Sequence, residues 1–519
     1  MLVKTFASAV QGVGAKTITV EVNSGGQPVA GTNYYNMVGL PDNAVREGFQ
    51  RIEAAIINAG LKMPRVKTIV NLAPADLRKE GSSYDLPIAL GILASSGQIP
   101  LEKLERFLVM GELSLDGTLQ PLRGALPIAI QARKEHFYGL ILPLANAREA
   151  GIVNNLEVIG VKNLMEIVAY LRGELDIKST QVDTRDDFFR NQTTHNVDFS
   201  DVKGQSHIKR ALEIAAAGGH NAILIGPPGA GKTMLARRLP TILPPLTLAE
   251  ALETTKIHSV AGILSPETAL VHTRPFRSPH HTISDTAMTG GTSNPKPGEI
   301  SLAHNGVLFL DELPEFRRSV LEVLRQPMEE NMVTISRAKI TVEYPAGFML
   351  IASMNPCPCG FYNHPEKECV CGAGAVKKYL NKISGPLMDR IDLHVEVTPV
   401  SYDELAITKS QAETSEMIRE RVIRAREIQQ LRYVSTPEIH NNSQMPANQV
   451  RNICVLDNAG NLLVKKAMEK LQLSARAYDR ILKVARTLAD LSGDEKIGLE
   501  HLAEAIHFRS LDRANWASQ

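Results

Sequence analysis

Ala222-Ile-Leu-Ile-Gly-Pro-Pro-Gly-Ala-Gly-Lys-Thr233 is the stretch that decides the fold. Its first four residues form an apolar strand pattern. They run directly into a GxxxxGK[ST] loop, in the strand–loop–helix context that gives this motif its meaning. The glycines let backbone N–H groups close on phosphate oxygens, and the N-terminus of the following helix favours negative charge. Gly226, Pro227, Pro228, Gly229, Ala230, Gly231, Lys232 and Thr233 are therefore the expected cradle for ATP. Lys232 would reach the β- and γ-phosphates, and the Thr233 hydroxyl would ligate Mg²⁺. An earlier run, Gly12-Val-Gly-Ala-Lys-Thr17, has Ala15 where the motif needs its last glycine and no buried strand before it. It reads as a turn entering a strand at Thr17–Val22.

Downstream, Val307-Leu-Phe-Leu-Asp-Glu312 is a buried-strand pattern ending in two carboxylates. At the C-terminal edge of a parallel strand, Asp311 can hold the Mg²⁺ shell while Glu312 polarises the attacking water. Ser353-Met-Asn355 follows a further apolar strand, Phe348–Ala352. Asn355 there either contacts the γ-phosphate or the attacking water, the sensor-1 role, or is a solvated strand-end residue.

Outward from this site the chain looks like an ordinary α/β protein. It has 519 residues, 44% of them hydrophobic and 22% charged, which suits about two to four domains with a sizeable core. Lys and Arg number 57 against 56 Asp and Glu. That balance excludes a broadly basic nucleic-acid coat but leaves room for a local basic channel. No run of about 18 apolar residues occurs, so no membrane partner is expected. The first ten residues lack a secretory pattern, and the expected location is the cytoplasm.

Residues 1–175 alternate strand-like and helix-like segments, among them Ala44–Ala59 and Leu86–Ser95 as helices and Thr68–Leu72 as a strand. Residues 176–197 turn polar and lose periodicity, as a linker does. Residues 198–400 form a second α/β block, with Leu393–Val397 as its last strand. Residues 401–519 are helical in pattern, clearest at Ser415–Gln430, Ala475–Leu491 and Leu499–Phe508.

Five cysteines occur, and Cys357, Cys359, Cys369 and Cys371 pair two CxC units across a short polar loop. Four thiolates can enclose one tetrahedral Zn²⁺ as a closed structural site, with no open position for catalysis. His364 is a possible substitute ligand, and free buried thiols are the alternative. Clustering of this kind with an odd total reads as a reducing compartment.

Taken together, Gly226–Thr233, Pro297–Glu312, Asn355-Pro-Cys-Pro-Cys-Gly360, Gly385-Pro-Leu-Met-Asp-Arg-Ile-Asp392 and Ser474-Ala-Arg-Ala-Tyr-Asp-Arg480 resemble the magnesium-chelatase-like branch of AAA+ ATPases, of the ComM/YifB type. The resemblance covers nearly the whole chain. It implies an AAA+ P-loop core with a helical lid, assembled as homohexameric rings with ATP between neighbouring subunits. Arg390 then matches an arginine finger reaching a neighbour's γ-phosphate, or is an intrachain partner of Asp389 or Asp392. Arg476 matches the sensor-2 arginine at the start of a lid helix.

The stretch from about Thr247 to Glu299 looks like the helix-2 insert of this branch, which places a loop towards the ring pore. Val333–Val342 alternates as a hairpin before sensor 1, with Arg337 and Lys339 near its tip. Six copies of that tip would make a basic collar around a nucleic-acid backbone, or it is a solvated turn.

Lys79-Glu-Gly-Ser-Ser-Tyr-Asp85 and Gly111-Glu-Leu-Ser-Leu-Asp-Gly117 resemble the proteolytic domain of Lon-type proteases, an S5-like α/β fold. Ser83 falls at the nucleophile's place, but Leu126 occupies the position of the general-base lysine, and Lys134 lies too far along to replace it. A serine without its base is a poor nucleophile, so this domain is expected to be catalytically dead. The ComM/YifB resemblance implies a DNA motor: a helicase or branch-migration ATPase acting on single-stranded or branched DNA in natural transformation, working with recombination proteins. Protein remodelling and magnesium-chelatase-like metal insertion are the alternatives.

Overall fold

The computed structural model describes residues 1–28, 35–183, 188, 196–291, 295–337, 340–362, 364, 366–399, 412–436, 438–471 and 473–509. The chain divides into two compact units. One is Met1–Asn191 with Leu248–His272, and the other is Gln192–Thr247 with Thr273–Gln519.

In the first unit the strands are β1 (Leu2–Gln11), β2 (Gly14–Pro28), β3 (Tyr35–Val38), β4 (Val66–Ala73), β5 (Phe107–Val109), β6 (Glu112–Leu113), β7 (Leu119–Gln120), β8 (Gly139–Pro143) and β9 (Glu157–Val161). Seven of them make one mixed sheet in the order β3-β4-β2-β1-β5-β8-β9. Gln11 pairs with Gly14 across a tight hairpin. The earlier glycine run is thus the turn and the start of β2, and Gly12 takes φ +61° to make it. Helix Asp85–Ser95 is buried on every side from Asp85 to Ala94, as its unbroken apolar sequence requires of a core helix.

Two sequence expectations change here. The polar stretch assigned to a linker begins as part of this unit: Thr180 N–H donates to Val158 O at 2.8 Å and Val182 N–H to Gly151 O at 3.1 Å. Residues 184–187 and 189–195 of that stretch lie outside the described residues. The segment expected to be one insert of the ATPase core also splits. Its first part, Leu248–His272, belongs to the first unit, where Gly124 N–H donates to Ser259 O at 3.1 Å. There Glu149 accepts the Leu126 N–H at 2.9 Å and the Ser259 hydroxyl. A polar inward face on helix Leu248–Ala261 is satisfied by these partners, which sequence spacing does not reveal.

The second unit holds β10 (Ala222–Ile225), β11 (Phe276–Arg277), β12 (Val307–Leu310), β13 (Met332–Arg337), β14 (Ile340–Pro345), β15 (Met349–Met354) and β16 (Leu393–Glu396). A parallel sheet runs β11-β12-β15-β10-β16. β10, β12 and β15 are buried at every residue, as continuous apolar strands covered on both faces must be. β13 and β14 form the expected hairpin, Arg337 opposite Ile340.

The helical tail is not a separate body. Ile418, Val422, Ile481, Val484, Leu488 and Leu502 share one apolar core with Ala215 of helix Ser206–Gly218 and with Leu224 and Leu393 of the sheet. Gln429 and Arg426 further tie the tail to the carbonyls of Ala217 and Ala216. The mixed α/β class with a parallel P-loop sheet is the one the sequence indicates. No described helix is long and apolar enough to cross a membrane.

Candidate nucleotide site

β10 ends at Ile225, and the chain turns at once because Gly226 lies against β16: a Cβ there would sit 2.2 Å from Val397 O. Gly229 and Gly231 take φ +78° and +81°, the left-handed region glycine enters without strain. Helix Lys232–Arg238 starts immediately after. The loop is thereby wound so that Lys232 turns inward. Its Nζ donates to Gly226 O at 2.6 Å, Pro227 O at 2.9 Å and Asn355 Oδ1 at 3.1 Å. Burial pulls the Lys232 ammonium down to about 8, against the opposing pull of Asp311 and Glu312.

β15 lies between β10 and β12, so its C-terminal end brings Ser353 and Asn355 between the loop and the carboxylates. Asp311 is held from three sides: Thr233 Oγ1 at 2.6 Å, Glu312 N–H at 3.0 Å, and the Ser353 hydroxyl. Thr233 Oγ1 beside an oriented carboxylate is a donor set that fits Mg²⁺, a hard cation taking oxygen ligands.

Glu312 stands apart from this knot. Its backbone is left-handed at φ +53°, a conformation uncommon outside glycine and concentrated at functional sites. Its side chain is 59% exposed, with Oε2 3.7 Å from His281 Nδ1. The arrangement can therefore bind a polyphosphate and a divalent cation, with a solvent-facing carboxylate at its rim to accept a proton from water.

The two arginines lie elsewhere in the unit. Arg390 is 8% exposed, pairing with Glu329 at 2.5 Å and with Pro386 O at 2.7 Å. Its intrachain partner is thus Glu329 rather than Asp389 or Asp392; Asp392 is taken by Arg480. Arg476 is exposed in the first turn of helix Ala475–Ser492. Of the basic residues in the presumed insert, Arg277 forms a two-pronged pair with Glu299 at 2.7 Å on each side, and Arg274 donates to Pro244 O and Asn305 O. Lys339 and the side chain of Arg337 lie outside the described residues.

The cysteines converge. Sγ–Sγ distances are 3.3 Å for Cys357–Cys359, 3.7 Å for Cys357–Cys369 and 3.6 Å for Cys359–Cys369. All four Sγ atoms, Cys371 included, lie within 4.8 Å of one another, and none is in a disulfide. A Zn²⁺ with bonds of about 2.3 Å needs tetrahedral edges of about 3.8 Å, so the residues fit that ion.

In the first unit Leu126 is fully buried, and the Ser83 carbonyl accepts the Gly111 N–H at 2.9 Å. Sequence reasoning missed Ser353, His281, Glu329 and the Asp392–Arg480 pair. Only Ser353 carried a signal, its place two residues before Asn355 on a strand end.

Family models agree with this geometry. "Magnesium chelatase, subunit ChlI" matches residues 198–405, "Subunit ChlI of Mg-chelatase" matches 20–146, and "Magnesium chelatase, subunit ChlI C-terminal" matches 412–509. Competence protein ComM of Haemophilus influenzae is 42% identical, over 98% of this chain and 97% of that protein. YifB of Escherichia coli strain K12 is also 42% identical, over 97% of this chain and 96% of that protein. The chloroplastic magnesium-chelatase subunit ChlI of Nicotiana tabacum is 24% identical over 43% of this chain and 46% of its own length. A P-loop core built on these residues, matched nearly end to end, places the chain in the ComM/YifB family of magnesium-chelatase-like AAA+ ATPases.

Proposed function

We propose that the protein is an ATP-driven DNA motor, a homohexameric helicase or branch-migration translocase acting on single-stranded or branched DNA during recombination in natural transformation. The observation that carries the DNA part of this reading is the near-full-length likeness to a protein named for competence. ATP lies in the Gly226–Thr233 cradle, with Lys232 on its β- and γ-phosphates. Thr233 and Asp311 would hold Mg²⁺, which when bound would supply positive charge to offset that of the phosphates. Glu312 takes a proton from water as the water oxygen attacks the γ-phosphorus and the bond to the β-phosphate oxygen breaks, releasing ADP.

Asn355 reads the γ-phosphate from beside Lys232. Arg390 leaves Glu329 to reach a neighbour's nucleotide, and Arg476 acts from the lid helix. Arg337 and Lys339 grip the DNA backbone from six hairpin tips. Zn²⁺ on the four cysteines is structural, and the Lon-like amino-terminal domain, with Leu126 in place of a base, serves docking or assembly in the cytoplasm.

The test is ATP turnover with and without single-stranded or branched DNA, in the wild type and in Arg337→Ala/Lys339→Ala. DNA stimulation that the double variant loses is expected. Turnover indifferent to DNA would refute the motor and favour protein remodelling, or metal insertion of the kind the chelatase subunit's name indicates.

A further inference from the structure

The four-cysteine loop begins where the nucleotide site ends, and three contacts join them. Asn355, which accepts the Lys232 ammonium at 3.1 Å, stands two residues before Cys357. Gly360, the residue after Cys359, lies against the P-loop: a Cβ built there would sit 2.6 Å from Pro228 Cδ, at φ +86°. The Gly360 N–H closes this turn on Cys357 O at 3.0 Å. On the far side of the cluster, helix Ala373–Leu380 follows Cys371 at once, and its Tyr379 side chain lies beside the backbone of Asn355. Both CxC pairs therefore bear on Asn355, and one of them also bears on Pro228.

We propose that Zn²⁺ at Cys357, Cys359, Cys369 and Cys371 clamps Asn355 and the Pro228 side of the P-loop in their nucleotide-binding positions, so that ATP binding depends on zinc. The inference rests on the reading of Gly226–Thr233 as the ATP cradle. Its physical basis is cross-linking. The pairs are separated along the chain by the polar segment from Gly360 to Glu368, which is too short to build a core of its own. A metal is what holds such a segment in one geometry. Without it, nothing cross-links the two CxC pairs, whose four Sγ atoms lie within 4.8 Å of one another, and the turn at Gly360 loses its anchor against Pro228. Glycine is required at that contact twice over, for its positive φ and for the space its missing Cβ leaves.

The experiment uses the full chain. Zinc content is measured by elemental analysis, and the affinity for a fluorescent ATP analogue with Mg²⁺ is measured before and after stripping with a zinc-selective chelator that spares Mg²⁺. One zinc per chain is expected, with affinity weakened about tenfold or more on stripping and restored by added ZnCl₂ but not by further MgCl₂. Gly360→Val keeps all four thiols, so it is expected to retain zinc while binding the analogue about tenfold more weakly; it separates the clamp from any general loss of folding. A chain with far less than one zinc and four thiols open to a thiol reagent would overturn the site. Full zinc content with unchanged affinity after stripping and in Gly360→Val would overturn the clamp. A zinc-loaded wild type that binds no nucleotide would overturn the ATP reading beneath it.

Discussion

Replacing Asp392 by Asn is expected to destabilise the second unit and to loosen the loop that carries Arg390. Asp392 is 1% exposed. Its carboxylate accepts the Asn221 N–H at 3.0 Å, faces His220 Nδ1 at 3.4 Å and pairs with Arg480. Burial opposes its ionisation, but the Arg480 charge and the neighbouring His220 imidazole overcome burial and hold the carboxyl well below the usual range. Asparagine keeps the shape and leaves Arg480 unpaired. Removing one side of a buried pair costs about 3–5 kcal/mol. The Arg480 side chain is 22% exposed, so water compensates part of the loss and about 3 kcal/mol is the apt figure.

The unit spans about 300 residues, with an unfolding entropy of about 0.6 kcal/mol/K, so the midpoint should fall by about 5 °C. The pH dependence follows from the direction of each shift. The native state leaves Asp392 ionised where the unfolded chain would take a proton, so its contribution is complete at pH 7 and is lost as pH falls below about 4. His220 is fully buried and kept neutral by that burial. It therefore adds destabilisation as pH drops below about 6.5, where the unfolded chain binds the proton instead. Neither group contributes a slope between pH 7 and 9. Differential scanning calorimetry of wild type and Asp392→Asn at pH 7 and 9 checks this. A midpoint drop under 1 °C, or one that differs between the two pH values, would refute the reasoning. Because Asn221 Nδ2 also donates to Arg390 O at 3.4 Å, the variant should lose turnover more than nucleotide affinity.

Other consequences concern the nucleotide site directly. With Lys232 at about 8, phosphate binding should restore its proton, so affinity for Mg·ATP should fall about eightfold from pH 7.5 to 9. Titration calorimetry should show this slope in the wild type and a flat profile in Lys232→Arg, whose side chain does not titrate there. Asp311→Asn removes the carboxylate that Thr233 and Ser353 orient, and should raise the Mg²⁺ concentration needed for half-maximal turnover about tenfold or more. Arg390→Ala should bind nucleotide normally yet lose turnover, by about 10³-fold. Mixing it with Lys232→Ala subunits should recover activity if Arg390 serves a neighbour, and recover none if it serves its own chain.

The nucleotide cradle was legible because its determinants are local. An apolar strand, glycines at fixed spacing and a following helix stand within a dozen residues, and the same holds for Asp311-Glu312 and the two CxC units. Helix Asp85–Ser95 was legible for a similar reason, its apolar run being too continuous for a surface element. What escaped depends on chain segments far apart. Nothing near Ser259 announces Glu149 as its partner, so Leu248–His272 read as part of the ATPase core. Residues 179–182 read as linker because what ties them down, the Ser179 hydroxyl and Thr180 N–H on Val158 and the Val182 N–H on Gly151 O, follows no local sequence pattern. β1 went unrecognised because its alternation is completed only by β2 and β5 on either side. Glu329 and His281 are ordinary surface types until the fold brings them beside Arg390 and Glu312.

The most direct measurement is γ-phosphate release from ATP by the purified chain, compared with Lys232→Ala and Glu312→Gln. Steady Mg²⁺-dependent release is expected in the wild type. Lys232→Ala should lose nucleotide binding, and Glu312→Gln should bind Mg·ATP as tightly as the wild type while releasing phosphate at least about 10²-fold more slowly. Glu312→Gln turning over at the wild-type rate, or hydrolysis that survives Lys232→Ala, would contradict the placement of the ATPase site on these residues.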